Sequence, residues 1–223
     1  MGVLLAIEGI DGSGKGTQAG RLRETALGRG YSVASFSFPL YDDNPFSRAI
    51  ADYLNGDFGA ADEVHPELAG LLYAGDRFHA RPRLLAALEE HDLVVCDRYV
   101  ASNAAHQGAK LAGAARRRLL DWLEDVEYGE FSLPRPDLVV LLDAPVALAR
   151  ELVGRKAARG YTTLEADIHE SDAGHSGATR DVYLELAQQD GWRVVSTADE
   201  QGAVREVEDV AAEIWSSAEP LLR

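Results

Sequence analysis

Five short runs of consecutive apolar residues punctuate the chain, at 3–7, 32–38, 93–96, 138–142 and 192–195. Between them, 17–27, 84–88, 114–126, 146–153 and 204–215 repeat their apolar positions at three- and four-residue spacing, the period of a helix with one buried face. Runs that are apolar on successive residues predict strands covered on both faces, as in a parallel sheet lying between helices. The alternation therefore predicts an α/β, doubly wound fold: a five-stranded parallel sheet with helices on both faces. Two stretches depart from it. Residues 38–62 are rich in Gly, Pro, Asp and Asn, with a short helix expected at 46–54. Residues 155–178 are polar and charged with few apolar positions. So long a polar stretch inside a compact domain reads as a functional lid ahead of a disordered loop.

Composition narrows this picture. The 223 residues suffice for one well-buried core and are too few for two ordinary domains, so 1–223 reads as a single domain. A formal net charge of −15 argues against sequence-independent binding to nucleic acid, which depends on neutralising phosphates. Only Lys15, Lys110 and Lys156 are lysines among the 22 basic residues, although a genomic bias toward Arg would give the same scarcity. The single cysteine, Cys96, forbids an internal disulfide, reads as a buried small hydrophobe, and fits a reducing compartment. The N-terminal apolar run is short and ends at Glu8, unlike a signal peptide. No run reaches the ~18 apolar residues of a membrane helix, so a cytoplasmic protein without a membrane partner is expected.

The sharpest local signal is Gly9-Ile10-Asp11-Gly12-Ser13-Gly14-Lys15-Gly16-Thr17, between a predicted strand and a predicted helix. Glycines there let successive N–H groups turn inward, and the helix N-terminus adds partial positive charge, which together cradle phosphates. Lys15 would reach the β- and γ-phosphates. The position after the lysine, normally a Ser or Thr that touches Mg²⁺, is Gly16, so Thr17 or water would complete the metal shell. The ending through Gln18 resembles adenylate kinases and related monophosphate kinases. A second signal is the run 93–96 leading into Asp97-Arg98-Tyr99: a carboxylate at the C-terminal end of a parallel strand lies on the ligand side of such sheets. Asp97 would hold Mg²⁺ through water, and Arg98 would clamp phosphate.

With these in place the chain resembles the thymidylate kinase family of P-loop nucleoside monophosphate kinases. Four motifs carry the resemblance: Glu8 to Lys15, Phe38-Pro39-Leu40-Tyr41, Leu72-Tyr73-Ala74-Gly75-Asp76-Arg77, and Asp97-Arg98-Tyr99-Val100-Ala101-Ser102-Asn103. The resemblance implies MgATP as phosphoryl donor, dTMP as acceptor, dTDP and ADP as products, and a homodimer. It implies that Tyr73 stacks on the pyrimidine, Arg77 bonds its carbonyl edge, and Asp11 meets the sugar 3′-hydroxyl. Phe38, Pro39 and Tyr41 would line the pocket, with Ser102 and Asn103 facing the base. His106 stands where many members carry a Tyr that crowds a ribose 2′-hydroxyl. Where the loop lacks an Arg, as at Gly12 and Ser13 here, the family draws its catalytic cations from the lid, which points to Arg155, Lys156 and Arg159. An ordinary basic helix end is the alternative reading of those three. Asp167 and Glu170 resemble an Asp-x-x-Glu element near the acceptor. With Asp172 and His175 they could be mistaken for a metal site, but no second cluster with tight ligand spacing supports one.

Other readings remain at this level: another nucleoside monophosphate kinase, a deoxynucleoside kinase using Asp97 or Glu8 as base, or an inactive nucleotide-binding module. A GTPase switch is disfavoured, because Asn44, Asn55 and Asn103 are followed by Pro, Gly and Ala rather than by a guanine-reading Lys.

Overall fold

The computed structural model describes residues 1–41, 44–60, 63–154 and 173–222. All five apolar runs form strands: β1 (Val3–Glu8), β2 (Val33–Ser37), β3 (Leu93–Asp97), β4 (Leu138–Asp143) and β5 (Trp192–Ser196). They pair in parallel in the order β2-β3-β1-β4-β5, with Ile7 opposite Asp97. Side chains alternate between two cores. Leu5, Ile7, Val95, Val140 and Leu142 pack with Leu22 and Ala26 of α1 (Lys15–Gly28) and with Val210 and Ile214 of α8 (Val207–Ala218). Leu4, Ala6, Val94 and Cys96 pack on the other face with Leu84 and Leu88 of α3 (Pro66–Glu90) and Val100 of α4 (Val100–Gly108). Burial on both faces holds for β1, β3 and β4. It fails at the edges, where the helices leave β2 and β5 partly open and Val194 is 39% exposed.

The helices differ from the sequence pattern where they pack on one another. The 84–88 signal is only the end of α3, whose first turns lie against α2 (Pro45–Leu54) and α5 (Gly113–Glu124) instead of the sheet. Burial on several sides of α3 blurs its 3.6-residue period. The 114–126 pattern divides into α5 and a π-helical turn, Asp125–Glu130, which carries Glu127 inward. After α6 (Val146–Gly154), α7 spans Ala173–Leu186, so 173–178 of the expected lid are helical. The reason is tertiary: Thr179, Val182 and Tyr183 are fully buried, and α7 packs beside α4. The remainder of the predicted lid, 155–172, lies outside the described residues.

The winding locates the site. β1 leads into α1 on one face, and its neighbour β3 leads into α4 on the other. Adjacent strands whose exits diverge in this way open a crevice at their C-terminal ends. No helix among the described residues is long and apolar enough to cross a membrane.

Candidate active site

The loop after β1 turns on glycines with left-handed or similarly restricted backbone, Gly12 at φ 84° and Gly14 at φ 93°, the latter capping α1. Lys15 bends back over the loop and donates to the Ile10 carbonyl at 2.9 Å. It is buried, and burial together with the nearby charge of Arg98 pulls its pKa down to about 8, against the opposing pull of Asp11, Asp97 and Glu8. An ammonium so poorly solvated is primed for anionic oxygens. A β-carbon on Gly12 would lie 2.0 Å from the Ala149 carbonyl oxygen of α6. An arginine therefore has no room at that position.

Asp11, Gly12, Gly14, Lys15 and Gly16 line a cavity of about 280 Å³. Other predicted loop contacts turn elsewhere. Thr17 is exposed and off the cavity wall, and Gln18 is buried and donates to the Val207 carbonyl at 3.1 Å. Ser13 is also buried off the wall, and its hydroxyl has no hydrogen-bond partner among the described residues. Asp97 does line the cavity, and a β-carbon on Gly16 would stand 3.2 Å from its Oδ2. Asp97 thus faces the place where a loop hydroxyl would ordinarily sit. One hard carboxylate with open space beside it fits Mg²⁺, which keeps several of its waters.

Phe38, Pro39, Tyr41, Tyr73, Arg77, Arg98, Ser102, Asn103 and His106 line the same cavity, so the four sequence motifs converge on one place. Buried Asp76 of α3 holds the wall formed after β2: it accepts from the Leu40 amide at 2.9 Å and from the Asn44 side chain, which caps α2, at 2.5 Å. Arg98 has a left-handed backbone (φ 67°), retained while its amide donates to the Ile7 carbonyl at 3.0 Å. Such a conformation costs ~1–3 kcal/mol and persists only where its surroundings enforce it. Its Nη2 meets Asp11 Oδ1 at 2.5 Å and its Nη1 meets Ser102 Oγ at 3.2 Å. Burial, the largest single influence, works against its charge, but Asp11, Tyr183, Asp97 and Glu8 together outweigh it and hold the pKa well above the usual arginine value.

Several expected contacts are redirected. Two arms of Arg77 are taken by Glu127, Nε at 2.5 Å and Nη2 at 2.7 Å, leaving Nη1 for the cavity. The Ser102 hydroxyl is committed to Glu8 Oε2 at 2.6 Å instead of the base. Glu8 is fully buried on the α4 face of β1 and also accepts from the Tyr99 amide (2.7 Å), the Ser102 amide (3.2 Å) and the Tyr183 hydroxyl (3.0 Å). So saturated a carboxylate is no base for a substrate hydroxyl. Asn103 donates to Glu127 Oε1 at 2.8 Å and the Gly70 carbonyl at 2.9 Å, while its Oδ1 is buried without a partner among the described residues.

Three residues escaped the sequence reading. Gln107 lines the cavity, with both amide atoms buried and without a hydrogen-bond partner among the described residues. Its place one helical turn beyond Asn103 was the available signal. Glu127 and Tyr183 sit far from every motif and gave none. Arg155, Lys156, Arg159, Asp167 and Glu170 lie outside the described residues, as does Asp172. The His175 ring of α7 lies 5.8 Å from that of His106, and no group of three potential metal ligands occurs among the described residues.

Known proteins resemble this chain in sequence and in fold. The sequence model of thymidylate kinase matches residues 7–210. A thymidylate kinase of Mycobacterium tuberculosis is 37% identical over 191 residues, 85% of this chain and 87% of that one. That of Pelobacter propionicus is 32% identical over 212 residues, 94% of this chain and 91% of that one. The solved thymidylate kinase of Candida albicans, 23% identical, superposes with a TM-score of 0.75 over 98% of this chain and 92% of its own, which establishes the shared fold. Taken with a phosphate loop that lines the cavity, these matches place the chain in the thymidylate kinase family.

Proposed function

We propose that the protein transfers the γ-phosphoryl group of MgATP to dTMP, giving dTDP and ADP. The observation that carries this reading is the gathering, in one cavity, of the buried phosphate-loop lysine with Arg77, Asn103 and Gln107. The imide N–H of thymine would donate to Asn103 Oδ1, and Arg77 Nη1 would donate to a ring carbonyl. Tyr73 would stack on the ring, with Phe38, Pro39 and Tyr41 closing the side. Cytosine presents an acceptor where thymine has its N–H, so it would leave Asn103 Oδ1 unpaired, a cost of ~1–3 kcal/mol.

The acceptor phosphate is mostly dianionic near neutral pH, with a second pKa of ~6. No strong base is needed, in keeping with the saturation of Glu8. Arg98, released from part of its contact with Asp11, would hold the acceptor phosphate while Asp11 meets the sugar. Lys15 would neutralise charge on the β- and γ-oxygens as the phosphorus–oxygen bond to ADP breaks and the bond to dTMP forms. Mg²⁺, held by Asp97 through water, would supply further charge stabilisation. Because Gly12 has no room for an arginine, Arg155 and Arg159 are assigned the remaining cationic role.

The partner we infer is a second copy. Along α3, Leu68, Leu71 and Phe78 are 64%, 41% and 45% exposed, and the Phe131 ring lies 4.7 Å from that of Phe78, an apolar surface suited to self-association. A cytoplasmic location agrees with ATP as donor and with a single buried cysteine.

An ADP-release assay across dTMP, dUMP, dCMP, UMP, CMP, AMP and thymidine tests the assignment. A preference for dTMP of tenfold or more is expected. A tenfold preference for AMP or CMP would overturn the acceptor, and turnover of thymidine alone would overturn the monophosphate.

A further inference from the structure

Glu8, Ser102 and Tyr183 meet in a buried triangle directly behind Arg98. Ser102 Oγ lies 2.6 Å from Glu8 Oε2, Tyr183 Oη lies 3.0 Å from the same oxygen, and the two hydroxyls are 3.0 Å apart. Ser102 Oγ is also the acceptor for Arg98 Nη1 at 3.2 Å. A serine hydroxyl has one proton to give. Glu8 takes that proton, so the Ser102 lone pairs remain aimed at the guanidinium. Tyr183 contributes the second hydroxyl on Glu8 Oε2. Its phenol is held far above the ordinary range by burial and by the charge of Glu8, so it stays a donor.

We propose that Tyr183 is a positioning residue for phosphoryl transfer: acting through Glu8 and Ser102, it fixes the guanidinium of Arg98 for the acceptor phosphate. The geometry supplies the reason. Arg98 is held between two anchors, Asp11 on Nη2 at 2.5 Å and the Ser102–Glu8 pair on Nη1. Loss of the second anchor leaves Asp11 as the dominant partner, which draws the guanidinium toward one wall and out of register with the reacting phosphates. Among the described residues, the further contacts of Nη1 are longer: the Gly9 carbonyl and His106 Nε2, each 3.4 Å away. Tyr183 belongs to α7, so a helix that lends no other side chain to this triangle sets the aim of the clamp.

The inference rests on the proposed reaction and on Arg98 as its acceptor clamp. The test is a double-mutant cycle on the full chain, followed with radiolabelled ATP. Tyr183→Phe, which removes only the hydroxyl, should lower kcat about tenfold while KM for ATP changes less than about twofold. Ser102→Ala, which leaves the Tyr183–Glu8 contact in place, should reproduce that loss and carries the test if the tyrosine variant does not fold by thermal melting. In an Arg98→Ala background, Tyr183→Phe should cost less than about twofold more. The proposal is overturned if Tyr183→Phe turns over within twofold of the parent, or if its loss adds in full to that of Arg98→Ala. An Arg98→Ala enzyme of normal turnover, or a parent inactive on dTMP, would instead remove the underlying reaction.

Discussion

The guanidinium of Arg77 meets the carboxylate of Glu127 on two arms, at 2.5 and 2.7 Å, with the two side chains 2% and 0% exposed. Burial alone would lower the Arg77 pKa, but the charge and hydrogen bonds of Glu127 more than compensate and raise it. Removing one partner strands the other charge in the interior. Glu127→Ala should therefore destabilise the protein by ~3–5 kcal/mol in urea unfolding. Replacing both by apolar residues of similar volume should cost much less, though it would remove the Nη1 donor assigned to the base. A loss below ~1 kcal/mol for Glu127→Ala would mean that water reaches Arg77.

Lys15 connects stability to pH. Its pKa in the fold is about 8 against 10.5 ordinarily. Below the lower value both folded and unfolded chains carry the proton, and the full burial cost applies. Between the two values the unfolded chain binds the proton more readily, so this residue's contribution to stability rises with pH, by up to ~3 kcal/mol. Comparing the parent with Lys15→Met at about pH 7.5 and about pH 10 isolates the effect, and equal slopes would contradict it. Activity should fall ~10³-fold in Lys15→Ala, because the charge it supplies is needed mainly in the transition state.

Gly12 tests why the loop lacks an arginine. A β-carbon there would stand 2.0 Å from the Ala149 carbonyl on a backbone of φ 84°. Gly12→Arg should cost more than ~2 kcal/mol in chemical unfolding and abolish ATP binding by calorimetry. A fully stable variant would show that α6 can withdraw.

Ser13 gives the opposite sign. Its hydroxyl is buried in the loop without a partner among the described residues. Ser13→Ala should raise the stability of the ligand-free protein by ~1 kcal/mol, read from the urea midpoint. A fall would place an ordered water on that oxygen.

The strands, the phosphate loop and the four motifs were legible because each depends on neighbours in sequence. Consecutive apolar residues mark a strand buried on both faces wherever it lies in the sheet. Glycines at fixed offsets before Lys15 build the loop from local backbone geometry. Asp97 and Arg98 could be placed at a strand end for the same reason, and both line the cavity.

What the tertiary structure decided is which of those side chains are free to act. Arg77 looks available in the sequence, yet Glu127, fifty residues away, takes two of its arms. Glu8 could serve as a base until Tyr99, Ser102 and Tyr183 are seen to saturate it. Thr17 and Gln18 follow the loop in sequence but leave the cavity as α1 turns, and Gln107 enters it by lying one turn beyond Asn103. A chain fixes the period and the local turns through short-range sterics and hydrophobic patterning. The partner of a buried polar group is chosen only when distant elements pack, since desolvation penalises every polar atom that the packing leaves unmatched.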